Sequence, residues 1–342
     1  MRRWIEKAVA GEALTADEAE AAFDRFMDGS ASAVEMAAFL TALKVRGETP
    51  DELAGGVRAL RKVMVEVKLP SDDLVDTCGT GGGSFTTFNI STAAALVAAG
   101  GGVGIAKHGN RSFSSRCGSA DVLEALGVRI DLGPEALERL FREVRFAFIY
   151  APRMHPAMRN VAEVRRALGV ATMMNLLGPL TSPARVRRQV VGVPGLERLQ
   201  LVASALQELG HTRALVVHGE PGLDELSPLG PTHIVSVDAG RLEKFTLHPG
   251  DLGWSGFSAD ELAGGSPEDN AAVLEGVLAG RIGGAARAAV ELNAAAAFWV
   301  AGRVDDLSAG VERAARTIEK GAAREALEKL REASARLAVD SE

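Results

Sequence analysis

The sequence predicts an α/β protein that begins with a helical segment, and three observations carry that prediction. Capped amphipathic stretches fill the chain up to about Val65. From Leu74 onward, short apolar runs alternate with helical patterns. The first of those runs ends in a glycine-rich turn that opens a helix.

The helical segment is read from its caps. Thr15-Ala16-Asp17-Glu18 is a capping box ahead of a helix with Ala19, Ala22, Phe23 and Phe26 on one face. Ser32-Ala33-Val34-Glu35 opens a second helix, which buries Met36, Phe39, Leu40 and Leu43 and stops at Gly47. Thr49-Pro50-Asp51-Glu52 opens a third, with Pro at the first helical position. Three helices in so short a segment make a poor core alone, so they must pack on the rest of the chain or on a second subunit.

In the α/β part, strands are expected at Leu74–Asp76, Val103–Ala106, Phe146–Tyr150 and Ala214–Val217. Helices are expected over Ser119–Leu126, Pro134–Val144 and Leu196–Leu209, and a hairpin over 232–247. After Ser266-Pro267-Glu268-Asp269 the chain is helical nearly to its end.

The 342 residues suit one large domain or two unequal ones, with 47% apolar and 24% charged residues as in ordinary globular proteins. A net charge of −7 argues against nucleic-acid or anionic-membrane binding, although Arg185, Arg187 and Arg188 can hold a small anion locally. Two cysteines, Cys78 and Cys117, make no disulfide framework, and no Cys/His zinc spacing occurs. No signal peptide or long apolar segment is evident, which predicts a cytoplasmic protein.

The chemistry is placed at Asp76–Thr92. Glycines 79, 81, 82 and 83 let the main chain approach a ligand, and successive N–H groups in such a turn make a nest for anions. Asn89, Ser91 and Thr92 then precede Ala93–Ala99, so an N-cap and the positive end of a helix lie beside the glycines. Two familiar phosphate loops are excluded. No Lys follows the glycines as a P-loop requires, and Ser84 stands where the dinucleotide fingerprint needs its third Gly.

Four further stretches bear chemistry. Lys107-His108-Gly109-Asn110-Arg111 and the residues to Asp121 follow a strand at its carboxyl end, where crevices in open α/β sheets lie. There Lys107 offers a point charge, Arg111 or Arg116 a fork, and Ser119 both a helix cap and a phosphate ligand. His155, before Pro156, serves equally well as a loop-holding or a site residue. One of Arg165 and Arg166 faces solvent while the other points into the crevice, and Gly178–Pro183 reads as a rigid turn. The carboxylates Asp224 and Glu225 are either solvated surface or, opposite a phosphate cradle, ligands for Mg²⁺.

Taken together, Gly79-Thr80-Gly81-Gly82, Asn89-Ile90-Ser91-Thr92, Lys107–Arg111, Gly118–Glu124, His155-Pro156-Ala157-Met158, Asn175–Leu180 and Asp224-Glu225-Leu226-Ser227 resemble the anthranilate phosphoribosyltransferase family, in its order and spacing. The resemblance runs from the N-terminal helices to about residue 330. It implies a small helical domain, residues 1–70 with a returning segment near 165–185, packed against a large α/β domain, 71–164 and 186–342, with a central mixed sheet and surrounding helices. It implies 5-phosphoribosyl 1-diphosphate (PRPP) and anthranilate as substrates, Mg²⁺ as cofactor, and a homodimer formed through the helical domain. Rival activities of related chains are pyrimidine nucleoside phosphorolysis on the same fold and non-catalytic binding of nucleic acid.

The same resemblance implies the residue roles. Gly79, Thr80, Gly81, Gly82, Thr87, Asn89, Ser91 and Thr92 would hold the diphosphate and ribose, with Lys107 and Ser119 adding phosphate contacts. Gly79, Asn110 and Arg165 would contact anthranilate, Arg165 through the carboxylate, while His155, Gly178 and Pro179 line its path. Asp224 and Glu225, with Ser91, would carry the metal. No dedicated side-chain base is expected. The chain departs from the family pattern at Gly83 and Ser84, where Asp-Gly is usual, and at Ala171 and Met174, where an Arg and a Phe are common. A milder change is Ser182, where the family has Asn.

Overall fold

The structure, a computed structural model, describes residues 1–112 and 116–339. The N-terminal bundle consists of α1 (Arg2–Val9), α2 (Ala16–Met27), α3 (Ala33–Arg46) and α4 (Pro50–Val63). Helices α2, α3 and α4 begin at the expected capping boxes: the Thr15, Ser32 and Thr49 hydroxyls accept main-chain N–H groups of the first turn, and Glu18, Glu35 and Glu52 reach back to the caps. Glu52 also takes the Leu14 N–H at 2.9 Å and pairs with Arg46, so one fully buried carboxylate ties three connections together. Gly47 ends α3 at φ 92°, a left-handed conformation that favours glycine.

Helix α1 goes beyond the sequence expectation of three helices. It is short and uncapped by a side chain, and is held by burying Trp4 and Ala8, one turn apart. The bundle core centres on Phe23, Phe26 and Phe39, which meet edge-to-face with centroids 5.1–5.9 Å apart. Helices α2 and α4 cross closely because Gly55 has no Cβ, which would otherwise enter the main chain at Ala16.

The remaining elements run β1 (Val75–Gly79), α5 (Ile90–Gly100), β2 (Ile105–Gly109), α6 (Ser119–Ala125), α7 (Pro134–Val144), β3 (Phe146–Tyr150), α8 (Ala151–Met154), α9 (Arg159–Leu168), α10 (Met173–Leu180), β4 (Arg188–Gly192), α11 (Leu196–Glu208), β5 (Arg213–Gly219), β6 (Thr232–Asp238), β7 (Arg241–Leu247), α12 (Pro267–Leu278), α13 (Gly284–Val300), α14 (Leu307–Glu319) and α15 (Ala322–Val339). The seven strands form one mixed sheet in the order β3-β2-β1-β4-β5-β6-β7. Strands β3 to β5 are parallel, and β6–β7 is the expected hairpin, added antiparallel.

Strand β4 is absent from the sequence expectation although it lies at the centre of the sheet. Five residues that begin Arg-Gln and end in Gly carry too little apolar pattern to declare a strand; full pairing on both edges makes it one. The arginines around it are not an anion site. Arg188 Nη1 donates to Ala301 O at 2.7 Å, Arg187 Nε donates to Gly210 O at 2.9 Å, and Arg185 pairs with Glu66. They sit at the amino ends of the strands, opposite the ligand edge.

Two apolar clusters flank the sheet. One packs α5, α7, α12, α13, α14 and α15 against a face that includes Val75, Ile105 and Leu215. The other joins the N-terminal bundle to α9, α10, α11 and a face that includes Val191, Val216 and Val235. Val161 and Val164 of α9, with Met173 and Leu177 of α10, lie in this second cluster. The expected rigid turn at Gly178–Pro183 is corrected: Gly178, Pro179 and Leu180 close α10, and the turn proper starts at Thr181.

Candidate active site

Strand order reverses between β1 and β4, and at such a switch point an open α/β sheet has its crevice at the carboxyl ends of the strands. Gly79 ends β1 and Gly192 ends β4, directly paired. Both are glycine because Asp224 lies across them: a Cβ on Gly79 would strike the Asp224 carboxylate, and one on Gly192 would enter the Asp224 main chain. The expected outcome of Gly192→Ala is a folded protein, checked by circular dichroism, whose kcat/KM falls about 100-fold because the acidic loop is pushed aside by roughly 1 Å or more.

The glycine turn is a nest, with Gly81 at φ 70° and Gly82 at φ 85°. Its Gly81 N–H donates to Asp224 Oδ2 at 3.0 Å, so here the turn holds a carboxylate of the protein itself. Thr80 is fixed through its N–H to Gly192 O at 2.9 Å. Glu225 accepts the Ser91 N–H at 3.2 Å, at the start of α5. Burial raises both acids, Glu225 to about 8 with Asp224 contributing, since two neighbouring carboxylates resist a second charge.

Lys107 faces α5 from β2 and is 1% exposed. Its Nζ donates to Thr77 O and reaches Ser91 Oγ at 3.3 Å. On the opposite face of β1, Asp76 accepts the His108 N–H at 3.1 Å, and burial, opposed by Lys107, lifts it to about 7. Hydrogen bonds thus join Gly81 to Asp224, and Glu225 through Ser91 to Lys107, with Gly79 and Thr80 leading into the same turn. Gly82 continues the turn, and Thr92 is buried one residue beyond Ser91, with no partner for its hydroxyl among the described residues. Thr87 lies farther along, bridged to Ala263.

Three sequence expectations at this edge change. Asn89 is the N-cap of α5 by position, but its side chain makes no capping bond; it turns to Cys117 and Asn270. Ser119 is the first residue of α6 rather than its cap, which is Gly118, and its Oγ donates to Asn110 O at 3.3 Å. Arg111 offers no free fork, because its guanidinium is taken by Asp121 and Glu124. The cause is common: tertiary partners outbid the local pattern for each polar group. Residues Phe113, Ser114 and Ser115 of this polar segment lie outside the described residues.

The other face of the sheet edge is built by His108, His155 and α10. The two imidazoles lie 5.1 Å apart, tilted by 51°, and His108 and His155 meet the main chain at Gly178 and Thr181 respectively. Their Nε2 atoms are buried without a hydrogen-bond partner among the described residues. Space is open beside Gly178, and Pro179 O accepts Gln189 Nε2 at 2.6 Å. Asn110 is exposed at the end of β2, its Oδ1 accepting the Arg111 N–H. Arg165 of α9 is half-buried, makes no ion pair among the described residues, and is lowered from its ordinary value by burial. Gln189 did not emerge from the sequence as a site residue, and Asp76 and His108 appeared there only as members of longer stretches, with no role of their own. For Gln189 there was no local signal, because β4 itself was not legible in the sequence.

Burial lowers His108 to about 3, His155 to about 4 and the remote His211 to about 3. A histidine depressed in the folded state binds fewer protons there than in the unfolded chain, where it titrates near about 6.5. These three therefore stabilise the fold fully above about pH 6.5, and that contribution is lost as pH falls towards 4. Urea midpoints measured from pH 7.5 to 4.5 are expected to fall with acid, and His211→Gln, remote from the crevice, is expected to flatten the fall.

Such an edge, with a nest, a helix entrance, a buried lysine and paired acids on a bundle-plus-sheet fold, suits a phosphorylated ligand, and the family matches make the chain a glycosyl-transfer enzyme. "Glycosyl transferase family, helical bundle domain" matches residues 2–64 and "Glycosyl transferase family, a/b domain" residues 71–324. A curated anthranilate phosphoribosyltransferase of Rubrobacter xylanophilus is 49% identical over 99% of this chain and 98% of its own length. The crystal structure of the anthranilate phosphoribosyltransferase of Thermus thermophilus superposes with TM-score 0.91 at 44% identity, over 97% of this chain and 99% of that one. That of Saccharomyces cerevisiae in complex with PRPP and Mg gives 0.89 at 27% identity, over 98% and 97%. The chain belongs to the anthranilate phosphoribosyltransferase family.

Proposed function

We propose that the chain transfers the 5-phosphoribosyl group from PRPP to the amine of anthranilate, giving N-(5-phosphoribosyl)anthranilate and diphosphate, a step of tryptophan biosynthesis. The observation that carries this reading is the meeting of the glycine nest, the start of α5, Lys107 and the Asp224–Glu225 pair at one switch point. Arg165, half-buried and without an ion pair among the described residues, is available for an aromatic acid.

In this reading Gly79–Gly82, Thr87, Asn89, Ser91 and Thr92 hold the sugar diphosphate, and Lys107 and Ser119 add phosphate contacts. Arg165 pairs with the anthranilate carboxylate, Gly79 and Asn110 hold the acceptor, and His155, Gly178 and Pro179 line its approach. Asp224, Glu225 and Ser91 fit Mg²⁺: all offer oxygen donors, and two acids that resist joint ionisation are satisfied by a cation. Among the described residues no third His, Cys, Asp or Glu joins the acid pair, so substrate oxygens would complete the shell. When bound, the ion supplies charge neutralisation for the departing diphosphate.

The chain's own residues do the rest. The main-chain N–H groups of the turn other than those of Thr80 and Gly81, which Gly192 and Asp224 take, and the Lys107 ammonium are the donors for developing negative charge on the leaving group, where fixed donors are most effective. The amine attacks the anomeric carbon with inversion, the C–O bond to diphosphate breaks, and the amine proton leaves late, to the acceptor's own carboxylate. Holding both substrates in line provides much of the acceleration.

The partition into a helical unit, residues 1–70 with 165–185, and an α/β unit, 71–164 with 186–342, belongs to the same proposal. So does a cytoplasmic homodimer formed through the helical unit. Exposed Val9, Val34 and Val45 on that unit support pairing, and no helix among the described residues is long and apolar enough to cross a membrane. Loss of anthranilate fluorescence on mixing with PRPP and Mg²⁺ tests the activity; an unchanged signal, with phosphorolysis of thymidine or uridine instead, would replace it with the phosphorylase reaction.

A further inference from the structure

Asn270 stands at the start of α12, only 2% exposed, and no role in the reaction above falls to it. Its hydrogen bonds form a one-way chain into the donor site. The Gly265 N–H donates to Asn270 Oδ1 at 2.7 Å. A main-chain N–H can only donate, so the Asn270 amide has one permitted orientation: oxygen towards Gly265 and Nδ2 away from it. That Nδ2 donates to Asn89 Oδ1 at 2.9 Å. Cys117 Sγ lies 3.2 Å from the same oxygen and 3.6 Å from Gly118 O, so its one hydrogen serves either acceptor, and it is Asn270 that sets which way the Asn89 oxygen faces. Asn89 Nδ2 therefore faces the other way, where one of its two hydrogens goes to Cys117 O at 3.2 Å.

Among the described residues this leaves one Asn89 N–H without an acceptor, while the Asn89 oxygen is turned inward to Asn270. The residue lies at the mouth of α5, two positions before Ser91, where main-chain amides also point outward. An amide that presents only a donor beside a helix N-terminus suits an anionic oxygen and disfavours a cation. The polarity is fixed from a main-chain amide in another part of the chain, since Asn89 and Asn270 are 181 residues apart.

We propose that Asn270 is a positioning residue for the phosphoribosyl donor: it locks the Asn89 amide so that an N–H faces a phosphate or ribose oxygen of PRPP. The inference rests on the donor-site reading of Asn89 given above.

Asn270→Asp tests it with little change of shape. One carboxylate oxygen still accepts from Gly265, but the other confronts Asn89 Oδ1, so the Asn89 amide must turn and present oxygen to the donor. The expected result is a KM for PRPP raised about tenfold or more, the loss of one hydrogen bond to a charged group, with the anthranilate KM unchanged. Because Asn270→Asp could also weaken the fold, thermal midpoints are compared, and the substitution is repeated in an Asn89→Ala background. There it is expected to have no further effect on the PRPP KM, since Asn270 acts through Asn89. If Asn89→Ala raises the PRPP KM but Asn270→Asp leaves it alone, or adds to it in full in the double variant, the inference is overturned. If Asn89→Ala itself leaves the PRPP KM unchanged, the donor-site reading of Asn89 fails, and the inference with it.

Discussion

Replacing both acids, Asp224→Asn with Glu225→Gln, is expected to lower kcat/KM by roughly a thousandfold, the scale of losing the main electrostatic support for a developing charge. The two carboxylates are side by side in sequence and sit over the glycine turn and the start of α5. Burial raises both, and that unfavourable ionisation is relieved when a cation arrives. The amides keep the shape and remove the charge. In the unsubstituted protein Mg²⁺ is expected to raise the thermal midpoint, and in the double variant this rise should vanish. A variant that still responded to Mg²⁺ in melting experiments, or that kept its activity, would move the metal elsewhere.

The second large effect is expected at Arg165→Ala, which should raise the anthranilate KM about 10- to 100-fold, the scale of one charge-assisted hydrogen-bonded pair. The KM for PRPP should stay within about twofold, since the two substrates are held by different elements. The basis is an absence of internal use: half-buried Arg165 makes no ion pair among the described residues, whereas Arg111, equally prominent in the sequence, is spent on Asp121 and Glu124. Lysine at this position should recover only part of the loss, because an ammonium lacks the planar fork that matches a carboxylate. Equal effects on both substrates would remove Arg165 from the carboxylate role.

The departures from the family pattern acquire a physical setting. A Cβ on Gly83 would lie 2.9 Å from Gly222 O and 3.3 Å from Asp224 Oδ1, so the tight packing of these two turns depends on glycine there. Ser84 fills the space beside Gly222, with its N–H on Gly222 O at 3.1 Å. A third acid at position 83 would crowd a pair that already resists ionisation. Met174 is 1% exposed within the core shared by the bundle and α10, so it is a packing residue. Ala171 is exposed, and its carbonyl accepts Lys44 Nζ at 2.6 Å.

Much of the molecule is written locally. The caps at Thr15, Ser32 and Thr49, the stop at Gly47, the strand Phe146–Tyr150, the helix Pro134–Val144 and the hairpin over 232–247 all follow from patterns a few residues long. The site blocks stood out in the same local way, as glycines, an Asn-Ser-Thr helix entrance and an acid pair, while the roles given to their residues came from the family resemblance. What tertiary structure alone decided is the use of each polar group. It made β4 the central strand, laid Asp224 across Gly79 and Gly192, gave Arg111 to internal acids while leaving Arg165 without one among the described residues, and turned Asn89 to Asn270. The reason is that a hydrogen bond is awarded by distance and angle in three dimensions, and partners such as Gly81 with Asp224, or Asn89 with Asn270, are separated by 143 and 181 residues. No local pattern records a competition whose winner is supplied by so distant a part of the chain.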